Sequence, residues 1–220
     1  MSGFLHFLEN EIQLAALSFL LLIYAMRLIW LFRLCSRREK TYAAGSAAAG
    51  IARSLLNIAT PWSMESTRRH PGFYLQFVVF HLGVTAAITL SFIIPYAPQL
   101  LEQRWRVRSL QTLIGAALLV GLIRFGRRLV KANLRRISGI DDFLSLLLVI
   151  LFFLTAIMAA PNRFRQSEWP LVAFFGLTAL LLVYVPFSKI GHYLYYPFSR
   201  FFFGRQLGHR GVTAKKKNLP

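Results

Sequence analysis

Five histidines (His6, His70, His81, His192 and His209) are the side chains in this 220-residue chain whose type and spacing could do chemistry. Four of them lie in or beside two long apolar segments. A lone histidine in an apolar helix is more often a hydrogen-bonded structural residue than a ligand, but a pair on two different segments changes that reading. Two neutral imidazoles on facing helices can supply both axial ligands of a haem iron, with the flat ring held edge-on in an apolar slot. His81 stands in the string Phe80-His81-Leu82-Gly83, and His192 ends the string Pro186-Phe187-Ser188-Lys189-Ile190-Gly191-His192. Each has a glycine close by, where a macrocycle could approach the backbone. Lys189, Arg68 and Arg69 fall at the same membrane face and could pair with propionates, although basic residues are expected there anyway.

His70 precedes His81 by eleven residues, close to three helical turns, so the two share a face and His70 could touch a propionate. His70 with His209 forms a further candidate pair for a second haem. His209, however, follows Pro197 and Gly204 in a stretch that need not be helical. Asp141 with Asp142 reads as a helix N-terminal pair rather than a proton-transfer site. The single thiol, Cys35, cannot form an intrachain disulfide or build a zinc or iron–sulfur site. There is no nucleophile triad, phosphate loop or metal-hydrolase motif.

These residues must be positioned by membrane-spanning helices. With 56% hydrophobic residues and only 15% charged ones, the chain is too apolar for a soluble domain of its length. Five segments are long enough to cross a hydrocarbon core of about 30 Å: Ile12–Phe32, Phe73–Ala97, Leu110–Phe125, Phe143–Ala160 and Leu171–Ile190. The third is the shortest and ends in Arg124, Arg127 and Arg128. The first reads as a retained anchor rather than a cleaved signal, because Glu9 and Glu11 precede a long core and Arg33, Arg37 and Arg38 follow it. Of the 26 basic residues, twenty fall on the loops and tail of one side and five on the other. The positive-inside rule makes the richer side cytoplasmic, with the N-terminus outside and the C-terminus inside.

The expectation is therefore an all-α membrane protein, one five-span transmembrane domain over residues 1–220, in the cell inner (cytoplasmic) membrane. It has a cytoplasmic interfacial segment (35–70) and a basic cytoplasmic tail (193–220). Within the segment, Ile51, Leu55, Ile58 and Trp62 recur at helical spacing, which predicts a short interfacial helix. The tail reads as an aromatic belt followed by a solvated end with Lys215, Lys216 and Lys217. The net charge of +18 serves topology, anionic lipid and a partner, not nucleic acid.

The Phe80–Gly83 string, the Pro186–His192 string and the five-span layout resemble the cytochrome b membrane subunit (gamma chain) of respiratory nitrate reductase and its relatives in sulfate reducers and methanogens. The resemblance implies that His81 and His192 ligate the haem b nearer the cytoplasm. It further implies electron transfer between membrane quinone, such as menaquinone, and a cytoplasmic iron–sulfur subunit, in a complex with other membrane subunits. The family's second, outer haem would need ligands where this chain reads Ser91 and Phe174, so one haem is expected. Depth measurement pulls the other way. At 1.5 Å per residue His81 lies roughly 12 Å inside the cytoplasmic boundary and His192 near that boundary, which would favour His70 with His192. The string match, and Pro71 marking His70 as a helix cap, favour His81. The alternative reading is a haem-free membrane scaffold whose histidines are structural. A transporter is disfavoured by the lack of a repeat and of paired broken helices.

Overall fold

The computed structural model describes residues 2–34, 41–60, 62 and 65–212. Cys35, Arg37, Arg38, Lys40 and Lys215–Lys217 lie outside the described residues. The described chain is helical, with no strand. Its helices are α1 (Gly3–Phe7), α2 (Gln13–Leu34), α3 (Ala47–Ala59), α4 (Glu65–Arg69), α5 (Pro71–Tyr96), α6 (Arg104–Val130), α7 (Ala132–Ile137), α8 (Ile140–Ala159), α9 (Trp169–Tyr184) and α10 (His192–His209). Four stretches among the described residues are long and apolar enough to cross a membrane: Gly3–Arg33, Pro71–Tyr96, Ile140–Ala159 and Trp169–Phe187. The expected third span lies inside α6, whose 27 residues carry arginines at both ends.

The first helical stretch begins at Gly3, nine residues ahead of the expected start at Ile12. Ser2 causes this, because its hydroxyl accepts the Leu5 N–H at 3.2 Å and satisfies a donor that would otherwise be orphaned. A π-helical turn, Leu8–Ile12, joins α1 to α2 and turns Glu9 inward, where it is 6% exposed. Pro71 opens α5 at a position where a missing N–H costs nothing, and Pro186 stops α9 within a short 3₁₀ turn (Val185–Phe187).

The helices fall into two compact units. The first comprises Met1–Tyr24 and Gly72–Ile190. Its centre is aromatic: Phe153, Phe174 and Phe175 are fully buried, the Phe152 and Phe174 rings stack at 5.5 Å, and Phe80 meets Phe153 edge-on at 5.4 Å. Gly83 lets α5 approach α6 so closely that a Cβ there would strike the Ala117 side chain. Two amides join helices through backbone carbonyls: Gln13 Nε2 donates to Phe175 O at 2.7 Å, and Gln111 Nε2 donates to Ile157 O at 3.0 Å.

The second unit comprises Ala25–Pro71 and Gly191–Pro220, and its described part is built on a close crossing of α3 with α10. Ser46, the N-cap of α3, and Gly50 and Ser54 within it fall four residues apart and meet Gly204 and Gly208 on α10. Ser54 Oγ donates to Arg200 O at 2.7 Å, and the Arg200 guanidinium returns two bonds to Ser54 O at 3.1 and 3.2 Å. Helix α10 runs unbroken through Pro197, so the stretch before His209 is helical, contrary to the weight given to that proline. A proline in the sixth position of a helix forfeits one hydrogen bond, and the side-by-side packing with α3 outweighs that loss. A helix stands within the segment where one was expected, as α3. What pairs it with α10 is its small residues, not the Ile51–Leu55 stripe.

A Cβ at Gly50 would lie 2.8 Å from the Gly208 backbone nitrogen, with backbone rather than flexible side chains around it. Gly50→Ala should therefore lower thermal stability by about 1–3 kcal/mol. Gly115→Ala, at a helical glycine with nothing within 4 Å, should raise it by about 0.5–1 kcal/mol. Unfolding of both variants in the same detergent checks the contrast.

Candidate functional site

His81 sits on α5, half-buried, ten residues after Pro71. Its ring packs on that of Phe77, 4.0 Å between centroids, and meets Phe80 edge-on at 5.9 Å. Its Nδ1 lies 2.8 Å from the Phe77 carbonyl oxygen. A carbonyl can only accept, so Nδ1 carries the proton and Nε2 holds the lone pair in the neutral ring. That is how a metal-ligating histidine is usually oriented: the second nitrogen donates to a backbone carbonyl, which fixes tautomer and ring angle.

His192 is the exposed first residue of α10, with Gly191 before it and Tyr193 beside it at 6.5 Å between ring centroids. His81 belongs to the first unit and His192 to the second. His70 is exposed and immediately precedes Pro71, as a capping residue would. The His209 Nε2 lies 2.8 Å from Thr41 O, while the His209 carbonyl accepts the N–H groups of Ala44 and Gly45 at 2.9 and 3.1 Å. His209 thereby ties the 41–45 segment to the end of α10. Of these histidines, His81 has a ring orientation fixed by a backbone carbonyl.

Two expected neighbours are placed otherwise. Gly83 is packed against Ala117, so its missing side chain serves helix approach rather than a macrocycle. Lys189 Nζ donates to Asp142 Oδ2 at 2.6 Å, and the ammonium is used there rather than held out for a propionate.

That contact belongs to a polar cluster which sequence reasoning saw only in part. Asp142, third in α8, accepts the Gly139 N–H at 2.9 Å, as a helix N-terminal acid does. Its side chain is 16% exposed and also meets Arg128 of α6 at 3.4 Å. Asp141 accepts from the Tyr184 hydroxyl of α9, from Ser145 Oγ at 3.3 Å and from the Lys189 backbone N–H at 2.9 Å. Three helices and the turn after α9 thus converge on two adjacent carboxylates. The only sequence signal was the acid pair; its partners at residues 128, 184 and 189 have no periodic relation to it. Nearby on α6, Arg124 lies 5.2 Å from the Phe80 ring centroid and Arg127 lies 4.6 Å from that of Phe73, both across α5. Among the described residues no group of three or more histidine, cysteine or acidic side chains is placed to hold a metal ion.

No protein-family model matches the chain, and no curated protein matches it.

Removing the Asp142 charge should test the cluster. Because Lys189 is 63% exposed, solvent screens the pair, and Asp142→Asn should cost about 1 kcal/mol or a little more. A double-mutant cycle with Lys189→Met, read by thermal unfolding, should give a coupling energy of the same sign. A coupling indistinguishable from zero would show that the contact carries no stability.

Proposed function

We propose that the chain is the membrane-anchoring b-haem subunit of a respiratory redox complex in the inner (cytoplasmic) membrane, with His81 and His192 as the axial ligands. The observation that carries this reading is the Nδ1–H of His81 donating to the Phe77 carbonyl, which orients Nε2 as a ligating nitrogen on an apolar, span-length helix. When bound, haem b would supply one-electron carriage between membrane quinone and a cytoplasmic iron–sulfur subunit. The chain's own work is to present the two imidazoles, to orient that of His81 through the Phe77 carbonyl and to keep water from the slot with Phe77 and Phe80.

The reading includes a fifth crossing by α6. Its Ile114, Ala117 and Gly121 are buried in the first unit, and arginines at its two ends suit the two headgroup regions. Five crossings put the termini on opposite sides, and the basic loops and tail make the N-terminus the outer one. A single haem accords with Phe174, which stands where an outer ligand would be needed and is stacked into the aromatic core. The pair His70 and His209 is the remaining candidate for a second haem. The commitments of Lys189 to Asp142 and of Gly83 to Ala117 favour the other reading, a haem-free scaffold that anchors other membrane subunits.

His81→Ala and His192→Ala should each abolish the low-spin haem signal of the purified protein, since loss of one axial ligand opens the iron. Haem content should be near one per chain and should survive His70→Ala and His209→Ala. A wild-type protein without a Soret band would establish the scaffold. A ratio of two would bring His70 and His209 into the ligand set.

Partner docking should depend on charge at the cytoplasmic face, aided by anionic lipid. Arg135 and Arg136 on α7 are exposed, whereas Arg128 is held by Asp142 and Arg127 by Phe73. Neutralising Arg135 and Arg136 should lower the salt concentration at which the iron–sulfur subunit dissociates, while the haem spectrum stays unchanged. Co-purification across a salt series measures both, and a complex indifferent to salt and to the double variant would place the dock on apolar surface.

A further inference from the structure

The bend between α6 and α7 gathers four cations, of which Arg128 alone meets a carboxylate among the described residues. Arg124 and Arg128, and likewise Arg127 and Lys131, stand four residues apart along the last turns of α6 and its cap. Like charges so spaced repel by a few tenths of a kcal/mol per pair. The α6 C-terminus offsets part of this, because the helix dipole favours cations there. Asp142 offsets Arg128. Among the described residues, no carboxylate pairs with Arg127 or Lys131.

Those two line a hollow of about 440 Å³ with Ala132, Asn133 and Leu134. Arg127 is held in place by the Phe73 ring, so its guanidinium loses little freedom on meeting an anion. Lys131 is exposed at the hollow's edge. The same stretch of chain also turns apolar side chains outward: Leu129 is 49% exposed, Val130 83%, Ile137 78% and Ile140 87%. A soluble anion needs no such flank, whereas a lipid brings acyl chains that do.

We propose that this hollow binds the headgroup of an anionic phospholipid, with its phosphate between Arg127 and Lys131 and its acyl chains along Val130, Ile137 and Ile140. The site is independent of the haem reading, since all its residues lie in the first unit and none is a proposed ligand or its neighbour. A bridging phosphate relieves the repulsion between Arg127 and Lys131 and pins α7 to the membrane surface. It thereby fixes the height at which Arg135 and Arg136 are presented.

Native mass spectrometry of the full chain from nanodiscs tests this, comparing pure phosphatidylcholine with phosphatidylcholine containing phosphatidylglycerol. One retained phosphatidylglycerol per chain is expected, and no retained phosphatidylcholine. At about fivefold in affinity per interfacial cation, Arg127→Gln with Lys131→Gln should weaken retention by about thirtyfold. Arg127→Lys should restore most of it in the Lys131 background, which separates loss of charge from loss of fold. Equal retention by wild type and the double variant, or equal retention of the two lipids, would overturn the proposal. Full displacement of the lipid by millimolar inorganic phosphate would overturn the lipid as ligand and leave a simple phosphate site.

Discussion

A polar group in hydrocarbon has no water to bond, and each one left unpaired costs several kcal/mol. That constraint organises the described chain from end to end. The backbone closes on itself as helix, and even hydroxyls inside the spans are turned back onto their own helices. Thr85 donates to His81 O at 3.0 Å, Thr155 to Leu151 O at 3.0 Å and Thr178 to Phe174 O at 2.7 Å. The orientation of His81 is one more case, with a ring nitrogen in place of a hydroxyl. The same hydrogen bond that satisfies an embedded imidazole also orders it for ligation, so a structural and a cofactor role make the same local demand.

Lipid tails are as apolar as leucine, so burial of apolar surface cannot hold the helices to one another as it does in water. Close approach does instead. Gly83 against Ala117 brings α5 onto α6, and Ser46, Gly50 and Ser54 against Gly204 and Gly208 bring α3 onto α10. Interhelical amides add direction: Gln13 reaches α9 and Gln111 reaches α8. At the N-terminus of α8 the joining chemistry becomes ionic, and Asp141 and Asp142 gather α6, α8, α9 and the turn beyond it.

Spans were legible in the sequence because long apolar runs are a first-order signal, and four appear in the structure with boundaries displaced by local capping such as that of Ser2. Less legible was anything carried by small residues. Gly50, Gly204 and Gly208 add nothing to an apolar pattern, so α3 reads as an amphipathic interfacial helix and the α10 stretch as a broken tail. The site was legible as residue types only. His81 and His192 stand out because ionisable groups near spans are few, but nothing in a linear string says that Lys189 will turn to Asp142. Nor does it say that the gap at Gly83 will be filled by a neighbouring helix. Such contacts join residues with no fixed spacing, and only packing decides them.

The crossing of α3 with α10 has a consequence for biosynthesis. Its hydrogen-bonded partners Ser54 and Arg200 are 146 residues apart in the chain. At ordinary elongation rates the ribosome needs roughly 7 to 30 s to make that stretch. For most of this interval α3 is outside the exit tunnel without the helix it is shaped to fit. The helices between them are made in the meantime, so the second unit can close only once α10 has followed α3 out of the tunnel. A chain cut short before Gly204 leaves the Gly50 and Ser54 face of α3 open for quality-control proteases to find.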